Sequence, residues 1–291
     1  VTIYIKRSTD GGAPALAAAA GSMITLLDYL LVTTMGWTKP YTGTNLAAYR
    51  QPAGTNQYYL RVDDTSTTTA RIVGYETMSD VNTGTGPFPT AAQVSGGAYL
   101  EKGAAAPWKM FSDGKIFYLF IKPAANTFVT AFGDPVSYKA ADAFHTLMIA
   151  QTSAASSTIN FSALSATMGV NTGHYVARPY TQVGTSKQVG KFSDAPRIGS
   201  TTMGSAGSTY PNPIEGSLVQ APVWISEGTV AEGTRALLPG VWCPCHDHPL
   251  TDGDTFSGTG ILAGRTFEAV DLQAVGAQQC FIETSDTWGG F

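Results

Sequence analysis

The chain has 291 residues, a net charge of −4 and a hydrophobic fraction of 43%, ordinary for a folded protein and too high for wholesale disorder. Charged residues are scarce at 13%, against roughly 25% in an average soluble domain, and Gly, Ala, Ser and Thr take their place. The 17 Lys and Arg are scattered without a run, so the basic stripe needed to grip nucleic acid or an anionic lipid surface is missing. A polar, weakly charged surface instead desolvates cheaply against a permanent partner, although a secreted β-protein with a Thr/Ser-rich surface has the same composition.

At the N-terminus VTIYIK reads as a strand. Residues 11–35 carry one charge, Asp28, behind Lys6 and Arg7, which superficially resembles a signal peptide. Gly11, Gly12 and Pro14 break that segment, and Asp28 interrupts its apolar part. It falls short of the run of about 20 apolar residues that spans a bilayer, so folded structure without membrane insertion is expected. Within it, Ser22 as N-cap, then Met23, Leu27, Leu30, Leu31 and Met35 at helical spacing, and Gly36 as the stop predict a helix over 22–35. Its apolar face is suited to covering a sheet.

Strands follow. GTNQYYLRVDD and STTTARIVGYETM form a hairpin candidate joined at Asp63-Asp64-Thr65-Ser66. A stronger one runs from Trp108-Lys109-Met110-Phe111 through the turn Ser112-Asp113-Gly114 into Lys115–Ile121, where Asp-Gly supplies the positive-φ turn. TFVTAFG and AFHTLMIAQ add two strands flanking FGDPVSY. Between 151 and 212, Ser, Thr, Gly and Pro dominate and apolar periodicity fades, which predicts a loop-rich connection. Strand character returns in GSLVQAPVWIS, ALLPGVWCPC, ILAGRTFEAVDL and QQCFIET. The expected organisation is a β-rich region over 1–150, the loop-rich 151–212, and a second β-rich region over 213–291 able to form one domain with the first. The class is mainly β (α+β): antiparallel sheets or a sandwich, one N-terminal helix, and long Gly/Ser/Thr-rich loops.

Catalytic patterns are missing. GTSKQVGKF at 184–192 is one residue too long for a phosphate-binding loop and has Phe192 where a hydroxyl must stand. Gly258-Thr259-Gly260 puts Ala263 in the place of the third glycine of a dinucleotide fingerprint. There is neither a G-x-S-x-G elbow nor an H-E-x-x-H pair. His145 lies in an apolar run and reads as a core or edge residue; His174 follows Gly173 in a polar stretch. Asp63/Asp64 and Asp252/Asp254 read as turn aspartates. No catalytic residue and no cofactor is expected, although two carboxylates placed by the fold could serve a glycosidase.

One constellation is dense in zinc-type ligands: Cys243, Cys245, His246 and His248 within six residues. The spacing does not match fingers or ribbons, and one short segment rarely wraps a tetrahedral metal by itself, so a buried thiol with turn histidines is the favoured reading. A trimer could still gather three His-x-His pairs on its axis. Cys243 and Cys245 are too close for an easy mutual bridge and Cys280 stands alone, which fits synthesis in a reducing cytoplasm.

RVDDTSTTTARIVGYETMSDVNTGTGPFPT (61–90), PWKMFSDGKIFYLFI (107–121), FGDPVSYKAADAF (132–144) and LPGVWCPCHDHPLTDGDTF (238–256) together resemble virion structural proteins of tailed bacteriophages and prophages, over roughly residues 20 to 275. The resemblance implies a non-enzymatic particle component, in the tail or baseplate, made in the bacterial host cytoplasm. Its partners would be other virion proteins and copies of itself in a symmetric ring or trimer. Two other functions stay open. A receptor- or glycan-binding module would need a saccharide-stacking patch such as Trp37, Tyr41 and Tyr49; a cell-wall hydrolase would need paired carboxylates lining a groove.

Overall fold

A computed structural model describes residues 2–124, 127–152, 172–184, 187–192, 218, 220–227, 234–244, 249–271, 279–286 and 288. Strands make up 46% and helix 8%, with antiparallel ladders in two sheets, so the mainly-β class expected from the sequence holds. In chain order the elements begin with β1 (Tyr4–Arg7), then α1 (Ser22–Leu27), continued by a π-helical stretch (Asp28–Thr34). β2 (Thr38–Gly43), β3 (Leu46–Arg50), β4 (Tyr59–Asp63), β5 (Thr69–Met78), β6 (Gly84–Phe88) and β7 (Ala98–Glu101) follow. Next come β8 (Trp108–Ser112), β9 (Ile116–Ile121), β10 (Phe128–Gly133), β11 (Val136–Ser137), β12 (Leu147–Gln151), β13 (Thr172–Val176) and β14 (Lys187–Phe192). The last strands are β15 (Gln220–Glu227), β16 (Thr234–Pro244), β17 (Thr255–Ser257), β18 (Thr266–Asp271) and β19 (Gln279–Glu283).

Both hairpins form. β4 runs against β5 with Tyr59 opposite Tyr75 and Asp63 opposite Arg71. β8 runs against β9 with Trp108 opposite Ile121 and Ser112 opposite Phe117. Gly114 takes φ +86° in the turn between β8 and β9, where the Asp113 carboxylate accepts the N–H groups of Lys115 and Ile116. The stretch read as loop-rich contains two strands, β13 and β14. β13 pairs with β12 along its length, so a ladder crosses the boundary expected near 150. Ser, Thr and Gly hid it: the sequence of β13, TGHYV, offers little alternation to read.

The helix starts differently from expectation. Gly21 (φ +82°) occupies the cap position, and the Ser22 hydroxyl turns away to donate to the Ala17 carbonyl at 2.6 Å. The capping acceptor is Asp64, far along the chain, whose Oδ2 receives the N–H groups of Met23 (2.7 Å) and Ile24 (3.2 Å). Lys102, from beyond β7, completes this centre by donating to Asp64, the Ala19 carbonyl and the Ser66 carbonyl. Both side chains have zero exposure. At the other end Gly36 adopts φ +71° and Trp37 N–H returns to Leu31 O, a Schellman-like closure widened by the π-helical turn.

β1, β8, β9, β10, β12 and β13 are hydrogen-bonded in that order and form a central layer buried on both faces. Every residue of β9, IFYLFI, is buried, as a strand covered on both sides requires. Phe117, Leu119 and Ile121 face one core with Trp108, Phe132 and Met148; the helix and β3, β4, β5 and β7 cover it. Ile116, Tyr118 and Phe120 face a second core with Val129 and Ile149, covered by β15, β16, β18 and β19 of the other sheet. On that sheet's outer face Trp242, Phe267 and Phe281 make a third, smaller cluster with Phe256 and Leu250.

A polar cleft between the sheets as candidate functional site

The turns at one end of the central layer enclose a cleft of about 540 Å³, within the size range of small-molecule sites. Its walls are the β3–β4 loop (Gly54–Asn56), the β8–β9 turn (Asp113, Lys115), the chain from Asp134 through β11 to His145, and Trp288.

Asp134 organises the cleft floor, although it is only 7% exposed. Its Oδ1 accepts from Gln51 Nε2 (2.9 Å) and Thr146 Oγ1 (2.6 Å), and its Oδ2 from the Asn56 backbone N–H (2.7 Å). Asn56 Nδ2 donates to Thr146 Oγ1 at 2.9 Å, and Gln51 Oε1 accepts the Tyr58 N–H at 3.1 Å. The carboxylate therefore ties the β3–β4 loop to the β10–β12 connection. His145 reaches the same floor: its Nε2 lies 3.9 Å from Asp134 Oδ2, and its Nδ1 contacts the carbonyl of Asp142. A carbonyl only accepts, so Nδ1 carries a hydrogen and, in the neutral ring, Nε2 is the bare acceptor. Of the two positions read from the sequence, core or edge, His145 takes the edge: the apolar run after it enters the core, while its half-buried ring lines the cleft.

Behind the cleft lies an ionic clamp. Arg235 of β16 forks onto Asp142, Nε to Oδ2 at 2.8 Å and Nη2 to Oδ1 at 2.7 Å, and its Nη1 donates to Glu227 and to the Arg178 carbonyl. All three side chains are at most 2% exposed. Burial pushes the Asp142 carboxyl up, but the Arg235 hydrogen bonds and charge, with the Ser137 hydroxyl, overcome this and hold it below the usual carboxylate range. Arg178 extends the clamp with a two-pronged contact to Glu76 of β5, 2.6 Å at each prong. For Asp113 burial is the stronger influence, raising its carboxyl despite two backbone N–H donors.

The other candidates fare as follows. Cys243 is half-buried and its thiol faces the Pro244 carbonyl at 3.7 Å; Cys245, His246 and His248 lie outside the described residues. Among the described residues no group of three or more His, Cys, Asp or Glu is arranged to hold a metal. His174 is buried on β13, and burial lowers its pKa to about 3. The 184–192 segment places its Gly190-Lys191 pair within β14, a strand rather than a phosphate-cradling loop. Asp63 and Asp254 accept from nearby Thr65 and Thr251, the expected turn role, whereas Asp64 caps the helix and Asp252 pairs with Lys109. The saccharide-stacking patch at Trp37, Tyr41 and Tyr49 does not form. Trp37 and Tyr49 are at most 1% exposed, and Tyr41 stacks on Tyr59. Trp37 and Tyr49 point their rings into the core, where apolar burial is worth most, while Tyr41 stays half-buried on β2.

Among the described residues no helix is long and apolar enough to cross a membrane. Compared with protein-family models and with curated proteins, the chain matches none.

Proposed function

We propose that this chain is a non-enzymatic structural subunit of a tailed-phage particle, in the tail or baseplate, packed against other virion proteins and copies of itself. The observation that carries this reading is an apolar strip on a weakly charged surface. Val136, Tyr138, Tyr180 and Val183 are 38%, 54%, 40% and 75% exposed. Two of them are linked through their neighbours: Lys139, next to Tyr138 in the chain, lies over the Tyr180 ring at 5.0 Å, and Trp224 Nε1 donates to the Tyr138 hydroxyl at 2.9 Å. Such a strip gains by being covered, and with 13% charged residues the surface around it resists desolvation little. The resemblance over residues 61–90, 107–121, 132–144 and 238–256 supports the same reading.

The test is immunogold electron microscopy of purified particles with antiserum to this chain. Label at the distal end of the tail is expected. Label on the head or neck would keep the structural role and move the location, whereas no label on intact or disrupted particles would overturn the reading.

A further inference from the structure

We infer that Cys243 and Cys280 form a cross-strand thiol pair that closes to a disulfide when the chain meets a small disulfide oxidant such as oxidised glutathione. The starting point is strand register. β16 and β19 run antiparallel, with Val241 opposite Ile282 and Trp242 opposite Phe281. One step further along both strands sets Cys243 opposite Cys280, and both strands continue past that position, β16 to Pro244 and β19 to Gln279. The faces agree. Val241, Ile282 and Cys280 belong to the core between the sheets and Cys243 packs against it, whereas Trp242 and Phe281 belong to the outer cluster. The two sulfurs therefore leave neighbouring strands on the same side. Residues directly opposite in an antiparallel pair have Cα atoms about 4.5–5.5 Å apart, inside the span of roughly 4.4–6.8 Å that a disulfide bridges. Both cysteines are thiols in this structure.

The two thiols differ in reach. Cys280 is 1% exposed, between β16 and β18, while Cys243 is half-buried. Burial pushes the Cys280 thiol well up, and the charge of a Cys243 thiolate adds to the rise, a second sign that the two are neighbours. Closure takes two exchange steps. Cys243 loses its proton to solvent and attacks one sulfur of the oxidant, whose S–S bond breaks and releases one glutathione thiolate. Cys280 then loses its proton to solvent and attacks the Cys243 sulfur of the mixed disulfide, releasing the second glutathione thiolate. The two protein thiols together give up two electrons, and the oxidant takes them up as it becomes two thiols. Once Cys243 is capped its charge no longer opposes ionisation of Cys280, so the first step eases the second. The bond ties β19 to the strand that carries Arg235. It stays open in a reducing cytoplasm and closes on transfer to oxidising surroundings.

The experiment incubates the full, reduced chain with millimolar oxidised glutathione, alkylates the remaining thiols, digests with trypsin without reductant and maps the peptides by mass spectrometry. A bond is expected between the peptides 236–265 and 266–291, and fragmentation should assign it to Cys243 rather than Cys245. A non-reducing gel should keep the chain at its monomer position. Cys280→Ser should stop after the first step, with glutathione held on Cys243, and Cys243→Ser should leave Cys280 unmodified. The thermal midpoint of the oxidised chain should exceed that of the reduced chain by roughly 4–8 °C, the effect of a native cross-link in a chain of this size. The peptide map uses the unaltered chain, so it decides the matter even where a variant does not fold. A bond to Cys245, a bond between two copies, glutathione persisting on Cys243 of the unaltered chain, or intact thiols throughout would each overturn the inference. Failure here would leave the virion reading standing, and unlabelled particles would leave the thiol pair standing.

Discussion

The two covers of the central layer are held on by different means. On the helix side, large rings and aliphatic chains dominate: Trp37, Trp108, Phe132 and Leu119 pack with four leucines of the helical segment. Its fully buried ion pair, Lys102–Asp64, serves the start of the helix. On the other side the second sheet meets a mixed face, where Phe111, Tyr118 and Phe120 stand beside the smaller Ala131 and Val176. There the Arg235–Asp142–Glu227 clamp crosses between the layers, and the cleft opens beside it. The difference shows two uses of buried charge. One satisfies backbone groups that a helix end must leave unpaired; the other fixes the position of one sheet relative to another.

Breaking the clamp should have the largest effect. Arg235→Ala strands Asp142 and Glu227 without their shared cation, at a cost of about 3–5 kcal/mol. Urea unfolding should register it, and hydrogen exchange should rise first in β15 and β16. Lys102→Met should cost about as much or slightly less, because Asp64 keeps its two helix N–H donors. Its exchange signature should appear in the helix and leave β15 and β16 protected. Identical exchange patterns for the two variants would show that the covers are not separable.

Adjacent residues of β9 sharpen the comparison at lower cost. Leu119 faces the helix side and Tyr118 the second sheet. Leu119→Ala should destabilise by about 2–5 kcal/mol, as removal of a fully buried leucine does. Tyr118→Phe removes only the hydroxyl, which donates to the Pro239 carbonyl at 3.0 Å, and should cost about 1–2 kcal/mol. Thermal denaturation of the two variants checks the order, and a reversed order would mean that the second core is the tighter one.

What the sequence disclosed and what it withheld follow the same physical division. Hairpins declare themselves locally: Asp113-Gly114 between aromatic runs needs no distant partner to be read as a turn. The two-sided burial of β9 is equally visible, because IFYLFI has no polar face. Asp64 could not be recognised as a helix cap, since its partners Met23 and Ile24 lie about forty residues away and a second aspartate sits beside it in a turn. The cleft was hidden more completely. Gln51, Asn56, Asp134 and His145 come from three loops, and a polar residue in a loop carries no signal of where the fold will bring it. The one local hint was His145 itself, a polar ring beside a strand otherwise built for burial.

The smallest effect concerns Glu101, at the end of β7, whose strand partner across the ladder is Thr69 of β5. Leu100 enters the helix-side core, so Glu101 points to the opposite face, where its Oε1 is buried without a hydrogen-bond partner among the described residues. Burial raises its pKa to about 7 from an ordinary value of 4.5. The sign of the consequence is fixed by proton counting: between those two values the folded chain holds the proton that the unfolded chain has released. Stability contributed by this residue is therefore full below pH 4.5 and falls as pH rises towards 7, the reverse of a salt-bridged carboxylate. Glu101→Gln keeps the shape and removes the charge. The variant should match the parent in thermal stability at low pH and exceed it by a few degrees at pH 8. A parent–variant difference that does not grow between those conditions would mean that solvent or a neighbour reaches the carboxylate after all. It would also mean that this edge of the helix-side cover is looser than the buried Lys102 just beyond it.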